Sequence, residues 1–159
     1  MSGHGAAERT HIDAKGLRVV IIAGTWHEVI SDGLIAGAVR QLDASGATYS
    51  LVRVPGSFEL PVAAKAALEA GADAVVALGV IIRGGTPHFE FVSAAATDGL
   101  TRVALDTGKP VGFGVLTLDD EAQGIDRAGF PDSAEDKGGE SAHAAIATAL
   151  VLRDLRAGA

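Results

Sequence analysis

The chain has 159 residues, of which 48% are hydrophobic, with a formal net charge of −7 and a mean hydropathy of +0.29. This length suits a single domain with a substantial core and is short for two. The acidic balance, with no Lys/Arg stripe, argues against general nucleic-acid binding, and the absence of cysteine excludes disulfides, thiolate chemistry and cysteine zinc sites.

The sequence also indicates where the protein is found and whether it forms oligomers. No apolar run reaches the length of a membrane helix, and the first fifteen residues lack the apolar core of a signal peptide, so we expect a cytoplasmic protein. The high mean hydropathy indicates that surface is buried between subunits.

The first half of the chain alternates strands with helices. Residues 1–14 form a polar arm, and we expect one domain over residues 15–159. Leu17 to Ala23 is apolar and β-branched, which predicts a buried strand. From His27 to Ser45 apolar residues recur every four positions, which predicts a helix, and Thr48 to Val54 is the next strand.

An Ala-rich helix follows the break at Pro55 and Gly56. Ser57 stands where its N-cap is expected, Glu59 lies in its first turn, and the helix runs to Gly71. The next apolar run, Ala74 to Ile82, has the length and Val/Ile content of a strand buried on both faces.

The segment after that strand is the strongest candidate for a binding site. Two glycines follow Arg83, Thr86 is expected as a helix N-cap, and Pro87 is expected at the first helical position of a helix that runs to about Asp106. The amides of such a helix start attract anions. His88, one residue inside the helix, is placed to pass a proton to or from a bound ligand.

The last third of the chain adds one strand and two helices. Val111 to Leu118 is the fourth apolar run, and acidic residues from Asp119 start a short helix to Ala128. Residues 129–140 interrupt the pattern with glycine, proline and charge. A final helix is predicted from Ser141 to about Arg156.

This alternation predicts an α/β protein: a three-layer α/β/α sandwich around a four-stranded parallel sheet in flavodoxin-like order, covered on both faces. In such folds ligands bind beyond the carboxyl ends of the strands. The segments from Gly24, from Pro55, from Arg83 and from Thr117 onward all lie at such ends, so we expect them to form one pocket.

Ordered sequence blocks give the chain a family resemblance. VPGSFELP at 54–61, GVIIRGGTPHFEFV at 79–92 and GVLT at 114–117 are followed by QGIDRAG and EDKGG. In these blocks the chain resembles the lumazine synthase family from about Leu17 to its C-terminus. The resemblance implies condensation of 5-amino-6-(D-ribitylamino)uracil with 3,4-dihydroxy-2-butanone 4-phosphate, with release of phosphate and water and with neither metal nor organic cofactor.

The resemblance also implies roles for individual residues. Trp26 would stack on the uracil ring, Glu59 would accept hydrogen bonds from the ribityl hydroxyls, and His88 would carry the proton. Arg127 would grip the phosphate from a neighbouring subunit, and Lys137 would border the site. Ser57 and Phe58 would hold the ribityl chain with Glu59, and the strand end formed by Val80, Ile81 and Ile82 would line the pyrimidine. Gly84, Gly85 and Thr86 would form the phosphate loop. Phe113 occupies a position that is Asn in some members of the family and Phe in others.

The resemblance implies a homo-oligomer as well. The segment GFPDSAEDKGG is longer than the tight connection found in members that build sixty-subunit shells, which favours a pentamer. Two small-molecule substrates are then the expected ligands.

Structural explanations compete for each residue taken alone. Trp26 could cover a helix end, Glu59 could serve only the helix dipole, and Arg127 and Lys137 could be solvated surface charges. For the whole chain, a noncatalytic shell or a carrier of flavin-type ligands on the same scaffold is the alternative function. Such a protein would not need His88 or Arg127, so their presence favours the enzyme.

Overall fold

The computed structural model describes residue 5 and residues 8–158. Within these residues the chain forms four strands and five α-helices, with a short 3-10 turn at Ser57–Glu59. Their order is β1 (Arg18–Gly24), α1 (Glu28–Ser45), β2 (Thr48–Val54), α2 (Leu60–Glu69), β3 (Ala74–Ile82), α3 (His88–Thr107), β4 (Val111–Leu118), α4 (Glu121–Ile125) and α5 (Lys137–Arg156).

The four strands make one parallel sheet in the order β2-β1-β3-β4, which confirms the predicted sandwich and its flavodoxin-like order. Because every strand runs in the same direction, all four carboxyl ends lie at one edge of the sheet. The strand order places the exits of β1, β2 and β3 next to one another.

Helices cover both faces of the sheet. Helices α1 and α5 pack on one face, and α2 and α3 pack on the other. The four apolar residues that recur every four positions in α1 are fully buried, as their spacing predicts: Ile30, Leu34, Ala38 and Leu42.

The edge strand β2 corrects one expectation. Its apolar sequence predicted a strand covered on both faces, yet Tyr49, Leu51 and Val52 are exposed. Strand β2 pairs only with β1 among the described strands, and six of its seven residues are exposed. An apolar edge strand and an apolar central strand have the same sequence pattern.

Helix α5 begins at Lys137, four residues before the predicted start at Ser141. Asp136 is its N-cap and accepts a hydrogen bond from the Gly139 amide over 2.9 Å. Gly138 lies inside the helix because α1 passes close by: a Cβ there would stand 1.9 Å from the Leu34 carbonyl oxygen. The glycines that suggested an interruption are therefore packing residues.

The predicted starts of three other helices also shift. Helix α3 begins at His88 with Pro87 in the N-cap position, so Thr86 is not the N-cap. Ser57 lies inside the 3-10 turn and makes no capping hydrogen bond. Helix α4 is shorter than predicted, and its N-cap, Asp120, accepts a hydrogen bond from the Gln123 amide.

The described part of the predicted N-terminal arm lies against the body of the protein. The His143 ring lies 3.2 Å from the Thr10 carbonyl oxygen, and Ala14 is fully buried and donates its amide hydrogen to the Ser45 carbonyl. The arm also includes residues that lie outside the described part of the chain. None of the described helices is long and apolar enough to cross a membrane.

Candidate active site

A cleft with a volume of about 650 Å³ opens at the carboxyl edge of the sheet, where β1, β2 and β3 end. Parallel α/β sheets bind ligands at this edge. Ten of the residues predicted for the site line it: Trp26, Ser57, Phe58, Glu59, Val80, Ile81, Ile82, Gly84, Thr86 and His88.

Trp26 forms the wall of the cleft after β1. Its side chain is 69% exposed, and a Cβ built on Gly56 would lie 3.4 Å from the indole Cδ1, so the indole lies against a residue with no side chain. The preceding Thr25 donates its hydroxyl hydrogen to the Pro55 carbonyl over 2.8 Å, which joins the ends of β1 and β2. An exposed, flat aromatic in this position can stack on a ring.

His27 has the left-handed backbone conformation, with φ 55° and ψ 63°, and no other non-glycine residue in the described chain has a positive φ. It is the N-cap residue of α1 and lines the cleft beside Trp26, with ring centroids 6.4 Å apart. Backbone strain of this kind is concentrated at functional sites. The sequence shows no metal-ligand spacing around His27, but the position of this residue next to Trp26 indicates that it borders the pocket, and it does line the cleft.

The 3-10 turn after β2 supplies the carboxylate of the cleft. Glu59 Oε2 accepts a hydrogen bond from the Gly56 amide over 2.9 Å, which fixes the orientation of the side chain. Ser57 is buried above β3, where a Cβ on Gly79 would lie 2.5 Å from its hydroxyl oxygen. Phe58, in contrast, is 64% exposed at the rim.

The end of β3 forms the floor. Pairing with β1 ends at Leu78, whereas pairing with β4 continues to Ile82. The backbone of residues 80–82 therefore has a strand partner on the β4 side only among the described strands. Its other edge is available to hydrogen-bond a ligand in the cleft.

The loop between β3 and α3 forms the far side. A Cβ on Gly84 or on Gly85 would meet no atom within 4 Å, and neither residue has a positive φ. The glycines are thus not required by the packing of the described chain, and they leave space above the N-terminus of a 20-residue helix. The start of a helix can bind an anion through its first amides and the helix dipole.

Arg83, which precedes this loop, connects three elements. Its Nη1 donates to the Glu90 carboxylate in the first turn of α3, and its Nε donates to Asp119 Oδ1 over 3.0 Å. The guanidinium carbon lies 4.1 Å from the centroid of the Phe89 ring. The hydrogen bonds that Arg83 donates to Glu90 and to Asp119 raise the pKa of Arg83, and the bond from Arg83 lowers the pKa of Glu90.

Four of the predicted site residues do not line this cleft within one chain. Gly85 lies in the loop but is not one of the residues that line the cleft, and Phe113 lies on the outer strand β4, 46% exposed. Arg127 donates to the Gln123 carbonyl over 2.9 Å and lies 3.9 Å from a Glu135 oxygen. Lys137 forms ion pairs with Glu135 and with Glu140.

These two basic residues share Glu135, whose side chain is mostly buried. Burial alone would lower the pKa of Lys137, but the hydrogen bonds to Glu135 and Glu140 outweigh it and raise that pKa. Both cations are therefore held in one network near the start of α5, next to the turn formed by residues 126–136.

Sequence reasoning missed part of the lining. The residues that line the cleft without having been predicted are Gly56, Phe89, Phe91 and Val92. The helical spacing of His88, Phe91 and Val92, three and four positions apart, places them on one face of α3 and was the signal that could have identified the last two.

Comparison with known proteins identifies the family of the chain. The family model for 6,7-dimethyl-8-ribityllumazine synthase matches residues 16–153. A protein of that name from Leifsonia xyli subsp. xyli is 80% identical over 152 residues, which are 96% of this chain and 95% of the relative. Another, from Clavibacter sepedonicus, is 69% identical over 158 residues, or 98% of this chain and 99% of the relative. A third, from Kineococcus radiotolerans, is 59% identical over 154 residues, or 96% and 95%. The chain therefore belongs to the 6,7-dimethyl-8-ribityllumazine synthase family, the transferases of riboflavin biosynthesis.

Proposed function

We propose that this chain condenses 5-amino-6-(D-ribitylamino)uracil with 3,4-dihydroxy-2-butanone 4-phosphate in the cleft at the carboxyl edge of the sheet. The product is 6,7-dimethyl-8-ribityllumazine, and phosphate and water are released. The observation that carries the proposal is that Trp26, Glu59 and His88, which come from three different strand exits, line one cleft in a chain of this family.

The pyrimidine substrate occupies the part of the cleft near β1 and β3. Its ring stacks on the exposed indole of Trp26, and its polar edge meets the unpaired backbone edge of residues 80–82. The ribityl hydroxyls donate hydrogen bonds to Glu59, whose carboxylate the Gly56 amide already orients. Ser57 and Phe58 border the same region.

The phosphorylated substrate lies at the loop before α3. Gly84 and Thr86 line the cleft there, and the helix N-terminus stabilises the phosphate. Gly85 belongs to the same loop but does not line the cleft.

The chemistry then requires proton movement between two oriented substrates. The 5-amino group attacks the ketone, and the carbinolamine loses water to give an imine. Loss of the C3 proton and of the C4 phosphate then leaves an enol, which tautomerises to a ketone. The ribitylamino nitrogen attacks this carbonyl, and loss of a second water completes the ring. His88 carries protons in these steps, a contribution of typically about 100- to 10,000-fold. Orientation of the two substrates is the larger contribution, since it can lower the barrier by about 7 to 11 kcal/mol.

A second copy of the chain completes the site. Arg127, Lys137 and Phe113 do not line the cleft of their own chain, so we infer that a neighbouring subunit brings Arg127 to the phosphate. The exposed apolar side chains of β2 at one edge of the sheet and of Phe113 at the other support head-to-tail association. We infer a pentamer rather than a sixty-subunit shell from the length of the segment that ends in EDKGG.

Two measurements test the proposal. Mixing both substrates with the purified chain should produce lumazine absorbance and fluorescence above the uncatalysed rate, and a rate equal to the background would exclude the enzyme. Sedimentation should give a mass five times that of the 16.0 kDa chain. A monomer that is nevertheless fully active would exclude the contribution of Arg127 from a neighbour.

A further inference from the structure

We propose that Arg83 is a positioning residue for the condensation: it ties the end of β3 to the first turn of α3 and to the start of α4, and so holds His88 and the loop 84–86 at the cleft. The inference deepens the proposed function and depends on it for its catalytic consequence. Its structural part, an ordered loop, can be tested without turnover.

The contacts of Arg83 cross the loop that they hold. Its backbone amide donates to the Leu118 carbonyl over 2.8 Å, which anchors the residue to the end of β4. Its side chain then reaches forward to Glu90 and sideways to Asp119, while the Phe89 ring lies under the guanidinium at 4.1 Å. One planar cation with several donors can satisfy these partners at once.

The loop has little else to order it. Gly84 and Gly85 carry no side chains, and the space around their Cβ positions is open. Glycine loses more backbone freedom on ordering than any other residue. A contact between residues 83 and 90 closes this segment at both ends and limits the conformations that it can adopt.

The effect reaches the cleft through Phe89. That ring lines the cleft and also packs against the core beneath α2 and α3, and it directly follows His88 in the first turn of α3. A rotation of this turn would move the imidazole and the amides of the loop together. Arg83 is absent from the described residues that line the cleft, so it acts through its neighbours rather than on the substrate.

Steady-state kinetics of the full chain, with each substrate varied in turn, test the catalytic consequence. Arg83→Met keeps an unbranched side chain over Phe89 but removes both hydrogen bonds, and we expect kcat to fall and the KM of the phosphorylated substrate to rise, by about 10- to 100-fold in kcat/KM. The KM of the pyrimidine substrate should change little, because Trp26 and β3 hold that ring. Arg83→Lys, which can bind one carboxylate, should recover part of the loss.

Arg102→Met is the matched control. Arg102 lies on α3, is 83% exposed and pairs with Asp106 over 3.2 Å, so its replacement should leave kcat and both KM values unchanged. Equal kinetics for Arg83→Met and Arg102→Met would overturn the proposal, as would equal increases in the KM of both substrates. If Arg83→Met does not fold, Asp119→Asn and Glu90→Gln remove the partners one at a time and should each give a partial loss.

Amide hydrogen exchange supplies a measurement that does not depend on activity. The amides of Gly85, Thr86 and His88 should exchange faster in Arg83→Met than in the parent and in Arg102→Met. Unchanged exchange would contradict the structural part of the proposal. If the unmodified chain makes no lumazine but Arg83→Met still shows faster amide exchange, the proposed function is wrong and the structural role of Arg83 stands.

Discussion

The Gly56 amide and the Glu59 carboxylate form a 2.9 Å hydrogen bond across the turn that follows β2. The bond stabilises the 3-10 turn and at the same time leaves the carboxylate at the wall of the cleft. One side chain therefore serves both the local fold and the binding of a polyol.

Replacing Glu59 with Gln tests the second of these roles. The amide keeps the size of the side chain but loses the negative charge that strengthens hydrogen bonds from hydroxyls, so we expect the KM of the ribityl substrate to rise about 10- to 100-fold. Kinetics with that substrate varied measure the effect. Glu69→Gln, at an exposed residue of α2 that pairs with Lys65, is the control and should leave KM unchanged.

Replacing His88 with Ala tests the division between proton transfer and orientation. We expect kcat to fall about 100- to 10,000-fold while both substrates still bind, because the residue moves protons but does not hold either substrate alone. His11→Ala, at an exposed residue outside the cleft, is the control. Complete loss of turnover in His88→Ala with intact substrate binding would show that orientation is not the larger contribution.

The two loop glycines should differ in function but not in stability. Both have open space around the Cβ position and neither has a positive φ. We therefore expect Gly84→Ala and Gly85→Ala each to raise the free energy of unfolding by about 0.4 to 1 kcal/mol, because alanine has less conformational freedom than glycine in the unfolded chain. Only Gly84 lines the cleft, so only Gly84→Ala should raise the KM of the phosphorylated substrate. Urea unfolding and kinetics measure the two effects, and a destabilised Gly85→Ala would contradict the geometry.

Gly138→Ala should instead damage the fold. The added Cβ would stand 1.9 Å from the Leu34 carbonyl oxygen, which is backbone of α1 and cannot move aside as a side chain could. Overpacking of this kind costs about 1 to 3 kcal/mol of unfolding free energy, measurable by urea denaturation. Gly85→Ala serves as the control for the same substitution in open space, and equal stability of the two variants would show that α1 and α5 can separate without cost.

The Glu90 carboxyl should titrate below its ordinary value of 4.5, because the hydrogen bond from Arg83 stabilises its charged form. A lowered pKa in the folded state means that the ion pair stabilises the protein above pH 4.5, and that this contribution is lost as the pH falls through the lower folded value. NMR titration of the Glu90 carboxyl measures this pKa. In Arg83→Met the pKa should return toward its ordinary value, whereas Arg102→Met should leave it low.

The sequence by itself determined the local elements and the family. Strands β2, β3 and β4 begin and end where their apolar runs predict, the buried face of α1 follows its four-residue spacing, and the parallel order places the strand exits at one edge. These features depend on neighbours along the chain and on general rules of connection, so a single sequence contains them. The motif blocks contain nine of the predicted residues that line the cleft, and Trp26 is the tenth.

Only the tertiary structure decided how distant segments meet. It shows that Gly138 belongs inside α5 because Leu34 passes next to it, that β2 is an exposed edge, and that Arg83 reaches Asp119 across 36 positions of sequence. It also places Arg127 and Lys137 with Glu135 rather than in the cleft of their own chain. The physical reason is that periodicity reports which side of an element is apolar, whereas the distance between two side chains depends on how whole elements pack in space.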